Sequence, residues 1–597
     1  MINRRHSRWF LSTFVLAFCA GFEALAAGAP PPRKVDVVFL VLDQLRADQL
    51  HCYGNSRDTS PNIDRLAERG VRFAQFFTVA SWTTPSFGSL HTSLYPSRHG
   101  ATLFWRPGMP LIDKETPMLA PDFKYHSYDT AAYVNNGLAG RELTGRGFDE
   151  YYQGQGSAQD VNITQRVGMG SDLTAPATTR LVLAWLDQHK AQPFFLYVHF
   201  IEPHSPYDPP PEDDIFKSGA YPYLFDTGYD IAHAPLKRLA MMGDQKAIER
   251  LYQLYDGKIH FVDRYVGKIL ERLRELGLED NTLVVLTSDH GELLYSHPSD
   301  FLTFDHRSLY DADLHIPLII AGPRVPQGRV INALASNIDT APTILDLAGL
   351  PPLSDAEGKS LTPLIDGTKQ SLFNYVYAEE DSAVPLRSVR SLHYKLIRNL
   401  WNGEEHLFDL DTDPAELHNI IQEHPPAWKD LEAQLNEWMK QNEPSKAVQI
   451  RRWRIYTAPE VDTTVDDMTI GGRFLITGGG WHSDTAPESG NYEAGCFWTE
   501  SGNGSRTAVW RNDDPMLGEY KIYVYFGHPS AGRLATDAPF TVVTDAGSTT
   551  LHFDFSRGAG EWHLLGSFHN PRYVKMTNAA DGAVIADAMK FVRASVE

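Results

Sequence analysis

The residue types best suited to chemistry in this chain surround Thr83, within A-S-W-T-T-P-S-F-G-S-L-H-T-S-L-Y-P-S-R-H-G from Ala80 to Gly100. Pro85 stands where a first-turn proline starts a helix, and Thr83 or Thr84 can cap that helix with a hydroxyl. A hydroxyl at a helix N-terminus lies among free backbone N–H groups, in a field that favours negative charge. Such a field suits an alkoxide attacking an anionic ester; the plainer alternative is a hydroxyl that only caps. Three other polar groups follow apolar runs: Asp43-Gln44, His204 and Asp289-His290. Two aspartates, a histidine and an amide oxygen are donors able to hold one divalent cation. A cation beside Thr83 would favour its alkoxide and polarise a P–O or S–O bond.

Those groups need a scaffold that brings distant segments to one edge. Lys34–Leu42 (K-V-D-V-V-F-L-V-L) is a nearly continuous β-branched run, as a parallel strand buried on both faces reads. It delivers Asp43-Gln44 at its C-terminal end, where open α/β sheets gather ligand groups. Tyr128–Asn135, Pro193–His199, Asn281–Ser288 and Pro317–Ala321 read as further strands, and Asn281–Ser288 delivers Asp289-His290. Ala247–Leu276 carries Leu251, Leu254, Ile259, Val262, Val266, Ile269 and Leu273 near helical spacing. Alternating strands and helices predict an α/β sheet. Beyond about residue 375 the pattern is smaller and mixed, with a helix near Ala427–Gln441, and Arg451–Val461 reads as a linker. Short strands punctuated by glycine and asparagine then predict an all-β sandwich, with a hairpin over Thr541–Phe555 turning at Asp545-Ala546-Gly547.

The chain has 597 residues and a net charge of −21, so length alone calls for several domains. The charge argues against nucleic acid and against an anionic membrane surface as partners. Any anionic substrate must therefore be drawn in by a local cation. Arg4, Arg5 and Arg8 precede an apolar run, Trp9–Ala20, with small residues at Ala24-Leu25-Ala26, the pattern of a secretory signal. The expectation is a signal peptide over 1–26, a secreted or periplasmic protein, and no transmembrane segment after its removal. Cys52 and Cys496 would then remain, far apart and unpaired.

Residues 35 to 430 resemble the sulfatase branch of the alkaline phosphatase superfamily. The resemblance rests on V-F-L-V-L-D-Q-L-R-A-D, S-P-N-I-D-R-L-A-E-R-G-V-R-F, the Thr83 segment, H-F-I-E-P-H-S-P-Y, S-D-H-G-E, S-L-Y-D-A-D-L-H-I-P-L-I and L-F-D-L-D-T-D-P-A-E-L-H-N, in family order. It implies a mixed sheet flanked by helices (34–375), a smaller C-terminal α+β subdomain (376–445), a linker (446–457) and the all-β sandwich (458–597). It also implies metal ligands at Asp43, Asp289 and His290, with Gln44 a weaker ligand. The departures bear on activity. Family sulfatases carry Cys or Ser in C-x-P-S-R, oxidised to formylglycine; here Thr83 stands there, and Phe87 replaces the arginine. Oxidised threonine would be a ketone, so the formylglycine hydrate cannot form. The family's G-K-W-H-L-G becomes Asn135-Asn136-Gly137-Leu138-Ala139-Gly140, and a further lysine position becomes His306.

The cationic sulfate clamp is thus largely gone while the metal positions are kept. A threonine nucleophile resembles superfamily phosphodiesterases, which form a phospho-threonine. The expected activity is hydrolysis of a phosphodiester or phosphonate ester, with Thr83 as nucleophile, His204 and His306 stabilising the substrate or protonating the leaving oxygen, and Asn136 and Phe87 at the substrate. The cofactor is one divalent ion, calcium, manganese or magnesium, with zinc an alternative. A sulfuric ester hydrolase working without formylglycine and an inactive glycan-binding homologue are the competing readings. His199, His260 and His315 read as packed histidines, Glu292 as a residue behind the ligands, and Glu379-Glu380-Asp381 as a solvated acidic trio.

Residues 458 to 597 resemble a golvesin or xanthan-lyase-type C-terminal module, through G-E-Y-K-I-Y-V-Y, G-E-W-H-L-L-G-S-F and G-A-V-I-A-D-A-M-K-F. This implies a carbohydrate-related partner, with Trp481, Trp498, Trp510 and Trp562 as residues that either stack on sugar rings or fill the core.

Overall fold

The computed structural model describes residues 33–102, 111–153, 175–218, 236–297 except 238, and 306–444 except 383, 384, 401 and 402; in the C-terminal part it describes 463–465, 474–484, 496–511 and 518–593 except 530. The expected signal peptide and the linker at Arg451–Val461 lie outside these residues.

The β-branched runs form strands as their composition demands. The strands are β1 (Asp36–Leu42), β2 (Val71–Phe73), β3 (Phe76–Phe77), β4 (Asp129–Val134), β5 (Glu150–Gln153), β6 (Phe194–Phe200), β7 (Thr282–Ser288), β8 (Leu318–Ala321) and β9 (Arg329–Ile331). All but β3 join one sheet in the order β5-β4-β6-β1-β7-β8-β2-β9. The first five of these are mutually parallel, and β8 is antiparallel to both neighbours. Every residue of β1, β6 and β7 is buried, which explains their unbroken apolar runs.

Strand parity then decides what faces what. Val37, Phe39 and Val41 share a core with Phe87 and Leu90 of helix α2 (Thr83–Thr92), here the second helix after α1 (Pro61–Glu68). Val38, Leu40 and Leu42 share the opposite core with Ile259, Val262 and Val266 of the long helix Gln245–Glu275. Asp244 caps that helix by accepting from Lys246 and Ala247 N–H. Side chains alternate along a strand, so the position two beyond Val41 falls on the α2 side of the sheet. That position is Asp43.

Strands Val376–Glu380, Leu386–Arg390, Tyr394–Asn399 and Glu405–Asp409 form an antiparallel meander. Helix Pro426–Gln441 covers one face through Leu431, Leu435 and Trp438, which pack on Val389, Leu396 and Leu407. The acidic trio does not behave as a solvated run. Glu379 and Glu380 are buried. Glu379 accepts from Ser97 N–H at 2.6 Å and lies 3.4 Å from Arg387, while Asp381 meets the same guanidinium at 2.9 Å. Glu380 accepts from Ser81 Oγ at 3.2 Å, and Glu379 N–H donates to Val79 O at 2.9 Å. The edge strand of the meander therefore clasps the segment leading into Thr83, and its carboxylates are paired because burying them unpaired would be costly.

The C-terminal part is all β, in antiparallel sheets of four, five and three strands around Trp510, Phe497, Ile522, Phe540 and Val574. The expected hairpin is present, Ala538–Thr544 pairing with Gly547–Phe553. No helix among the described residues is long and apolar enough to cross a membrane.

Arg387→Ala would leave buried Glu379 and half-buried Asp381 without their cation. The expected cost is about 3 kcal/mol, read as a lower midpoint of thermal unfolding for the α/β part of the chain.

Candidate active site

Two neighbouring parallel strands build the centre of the site. The β1–β7 register pairs Leu42 with Ser288, so the next residues, Asp43 and Asp289, emerge side by side. Asp43 N–H donates to Phe200 O, Gln44 N–H to Asp289 Oδ1 at 3.1 Å and Leu45 N–H to Ser288 Oγ at 2.9 Å, which locks the three strand ends together. Gln44 turns the chain with a left-handed φ of 62°. His290 follows Asp289, and its Nδ1 lies 2.9 Å from Gly291 O, so Nδ1 carries the proton and Nε2 is the free lone pair. Gly291 is required by close approach: a Cβ there would meet Ala312 O at 2.0 Å.

Single donor atoms of Asp43, Asp289 and His290 lie within 4.8 Å of one another, and all three residues are buried. Each carboxylate commits one oxygen to the protein. Asp43 Oδ2 accepts from Asn136 Nδ2 at 2.6 Å, and Asp289 Oδ1 accepts from the N–H groups of Gln44 and His290. Asp43 Oδ1, Asp289 Oδ2 and Gln44 Oε1 are buried with no hydrogen-bond partner. Three buried oxygens left without donors, next to a deprotonated imidazole nitrogen, fit a divalent cation. The electrostatics agree. Burial raises the Asp43 carboxyl, but the His199 contact and the fields of His204, His199 and His290 outweigh it, for a net lowering. Burial and the Asp43 charge push Asp289 well up. Two adjacent carboxylates resist joint ionisation unless a cation sits between them.

Thr83 is the first residue of α2, and Trp82 takes the capping position in extended backbone. No side-chain capping bond is made, so the hydroxyl is not spent on the helix end. Thr83 Oγ1 lies 3.4 Å from His290 Nε2. Ser86 Oγ donates to Asp289 O at 2.7 Å and ties the helix to the end of β7. His306 stacks on His290 with ring centres 4.4 Å apart, and its Nδ1 lies 2.9 Å from Gln44 Nε2. The amide is the donor, so neutral His306 carries its proton on Nε2. His204 Nδ1 lies 2.7 Å from Ser205 O, leaving Nε2 as the free nitrogen; its ring centre is 6.4 Å from that of His306.

Two residues expected at the substrate are engaged with the protein. Asn136 bonds Asp43 through Nδ2 and accepts from Leu138 N–H through Oδ1. Phe87 is fully buried in the core with its ring edge on His199 at 5.0 Å. His199, read from the sequence as packing, lies 3.2 Å from Asp43 Oδ2. Its Nδ1 accepts from Asn135 N–H, so Nε2 carries the proton toward Asp43. The available signal was an imidazole one residue before a strand end, at the sheet edge where ligands collect. His260 and His315 have structural roles, against Asp213 and Ala74 O. Glu292 is buried, 3.8 Å from His306.

A sequence model of the sulfatase family matches residues 36–350. The chain belongs to the sulfatase family. A model of the N-sulphoglucosamine sulphohydrolase C-terminal region matches 299–445 of this sulfatase-family chain, and one of the golvesin C-terminal domain matches 463–593. Among curated relatives, the chain is 25% identical to an arylsulfatase of Clostridium perfringens, over 65% of its own length and 90% of the relative's. It is also 25% identical to an N-acetylglucosamine-6-O-sulfatase of Bacteroides thetaiotaomicron, over 72% of its length and 91% of the relative's. The solved phosphonate monoester hydrolase of Agrobacterium radiobacter shares the fold, with a TM-score of 0.55, 22% identity, and coverage of 68% of this chain and 95% of that one. The chain is accordingly a hydrolase acting on ester bonds, within the alkaline phosphatase superfamily.

Removing a group that orients a metal ligand typically weakens metal binding about 10- to 100-fold. Asn136→Ala and His199→Gln are each expected to do so, measured by competition with a chromogenic chelator, while retaining a native circular dichroism spectrum.

Proposed function

We propose that this protein is a secreted, metal-dependent phosphoesterase that uses Thr83 as nucleophile, acting on a phosphodiester or phosphonate ester. The observation that carries the reading is the Thr83 hydroxyl, left out of helix capping and 3.4 Å from His290 Nε2, at a helix N-terminus and next to three partnerless oxygens. Asp43, Asp289 and His290 would hold a divalent ion, with Gln44 Oε1 as a further donor. The imidazole donor favours manganese or zinc over calcium or magnesium. Such an ion would favour the ionised form of the nearby hydroxyl and offset the ester's charge.

The chain's own groups divide the remaining work. Thr83 attacks phosphorus in line, forming a phospho-threonine and releasing the alcohol. His306, whose Nδ1 faces the Gln44 amide, stabilises an ester oxygen through Nε2. His204, whose Nδ1 is tied to Ser205 O, has the nitrogen able to carry a proton to the leaving oxygen and then to take one from the hydrolytic water. Asn136, His199 and Phe87 hold Asp43 in place. Exposure rises from Thr83, only 2% exposed, toward partly exposed His204 and His306, so the ester enters from that side. Neutral side chains replace the family's lysines around the site, which supports a singly charged ester over a dianion. The phosphonate ester activity named for the Agrobacterium structure is consistent with that choice. Sulfate ester hydrolysis without formylglycine is the second reading, favoured by the sulfatase names of the curated relatives. The retained ligand set argues against an inactive homologue.

Aryl phosphate mono- and diesters, aryl phosphonates and aryl sulfates, assayed with manganese, zinc or a chelator, separate these readings. Diester or phosphonate turnover is expected, lost on chelation and reduced by about 10³-fold or more in Thr83→Ala. A trapped phosphoryl group on Thr83, seen by intact mass, completes the case; turnover of aryl sulfate alone overturns it. In His204→Gln, turnover of alkyl esters is expected to fall about 10²-fold, and of nitrophenyl esters far less, because a good leaving group needs no proton.

A further inference from the structure

The C-terminal tryptophans do not share one environment. Trp510 and Trp481 are buried, with their indole N–H groups donating to Asp587 O and Thr477 O. Trp498 is half-buried, with His482 stacked on it at 4.3 Å. Trp562, half-buried as well, stands on the outer face of the four-stranded sheet.

Strand registers show what surrounds it. Strand Glu519–Tyr525 alternates buried Tyr520, Ile522 and Val524 with outward Lys521, Tyr523 and Tyr525. Tyr525 pairs with Trp562 on one side and Ala588 on the other; Tyr523 pairs with Leu564 and Lys590. The rings of Tyr525 and Trp562 are 5.3 Å apart, and Lys590 Nζ lies 4.5 Å from the Trp562 ring centre. Leu564 is 55% exposed, far more than the core leucines. Three adjacent strands make a face about 10 Å across, wide enough for a sugar ring and its neighbour.

Charge narrows the occupant. The chain carries a net charge of −21, yet Lys521 and Lys590 on this face have no carboxylate partner among the described residues. The acid at the end of the strand, Glu519, is paired with His569 at 3.0 Å. Elsewhere on this domain Arg533 and Arg572 are matched by Asp581 and Asp545. Two unmatched ammonium groups among tyrosine, tryptophan and leucine form a surface for a ligand with flat apolar faces and negative charge. We infer that the face formed by Lys521, Tyr523, Tyr525, Trp562, Leu564 and Lys590 binds an anionic polysaccharide, holding an ester-bearing chain near the catalytic half. The choice of an anionic glycan rests on the reading of that half as a hydrolase of anionic esters.

The test uses the full-length chain, with dextran sulfate, neutral dextran and a single-stranded oligonucleotide as probes in a binding titration. Dextran sulfate is expected to bind, more weakly as salt rises. Trp562→Ala and Lys590→Glu are each expected to weaken it about tenfold or more, and Tyr523→Ala, a surface change, to weaken it in the same direction. Turnover of a small aryl ester stays unchanged in all three. Equal binding of neutral dextran, preference for the oligonucleotide, or dextran sulfate binding indifferent to these variants overturns the inference. Variant-sensitive dextran sulfate binding by a chain that turns over no ester supports the surface and removes the catalytic reading instead.

Discussion

The pairing of Leu42 with Ser288 is the constraint on which the rest of the site depends. It sets Asp43 and Asp289 next to each other at the end of a sheet whose strands are buried on both faces. Two carboxylates brought together there are costly unless something positive joins them. The surrounding residues meet half of each acid's needs and leave the other half open. Asn136 and His199 take one oxygen of Asp43; backbone N–H groups take one oxygen of Asp289. The free oxygens remain beside His290 Nε2, the position a cation would occupy.

Helix α2 makes use of that arrangement. Its first residue carries a hydroxyl that the helix end does not consume, and its second turn is fastened to β7 through Ser86. The approach to the helix is held from outside the main sheet, by Glu379 and Glu380 of the meander. Arg387 compensates Glu379 and the adjoining Asp381. The smaller subdomain is therefore part of the support for Thr83 and not an appendage. A shift of its edge strand would move the Thr83 hydroxyl relative to Asp43 and Asp289, and groups that react together tolerate little misplacement.

Fold class was legible because buried parallel strands have a distinctive composition. Lys34–Leu42, Pro193–His199 and Asn281–Ser288 each read as strands, and the structure places them side by side as β1, β6 and β7. The same composition hid His199. Inside F-F-L-Y-V-H-F an imidazole reads as packing, and its partner Asp43 is 156 positions away in sequence. The acidic trio misled for a related reason: whether three acids in a row are solvated depends on whether arginine and serine from other strands reach them. Tryptophan content likewise could not distinguish Trp510, sealed in a core, from Trp562 on an outer face.

What the amino-acid sequence determined by itself was the layered α/β sheet, the family, and the residue types at the strand ends, because hydrophobic periodicity and short motifs are local properties of the chain. Only the tertiary structure decided that the Thr83 hydroxyl is left out of helix capping and faces His290, that Asn136 and His199 serve Asp43, and which oxygens remain open to a cation. Those outcomes depend on strand register and side-chain parity across elements hundreds of residues apart, and a one-residue slip would turn Asp43 to the opposite face of the sheet.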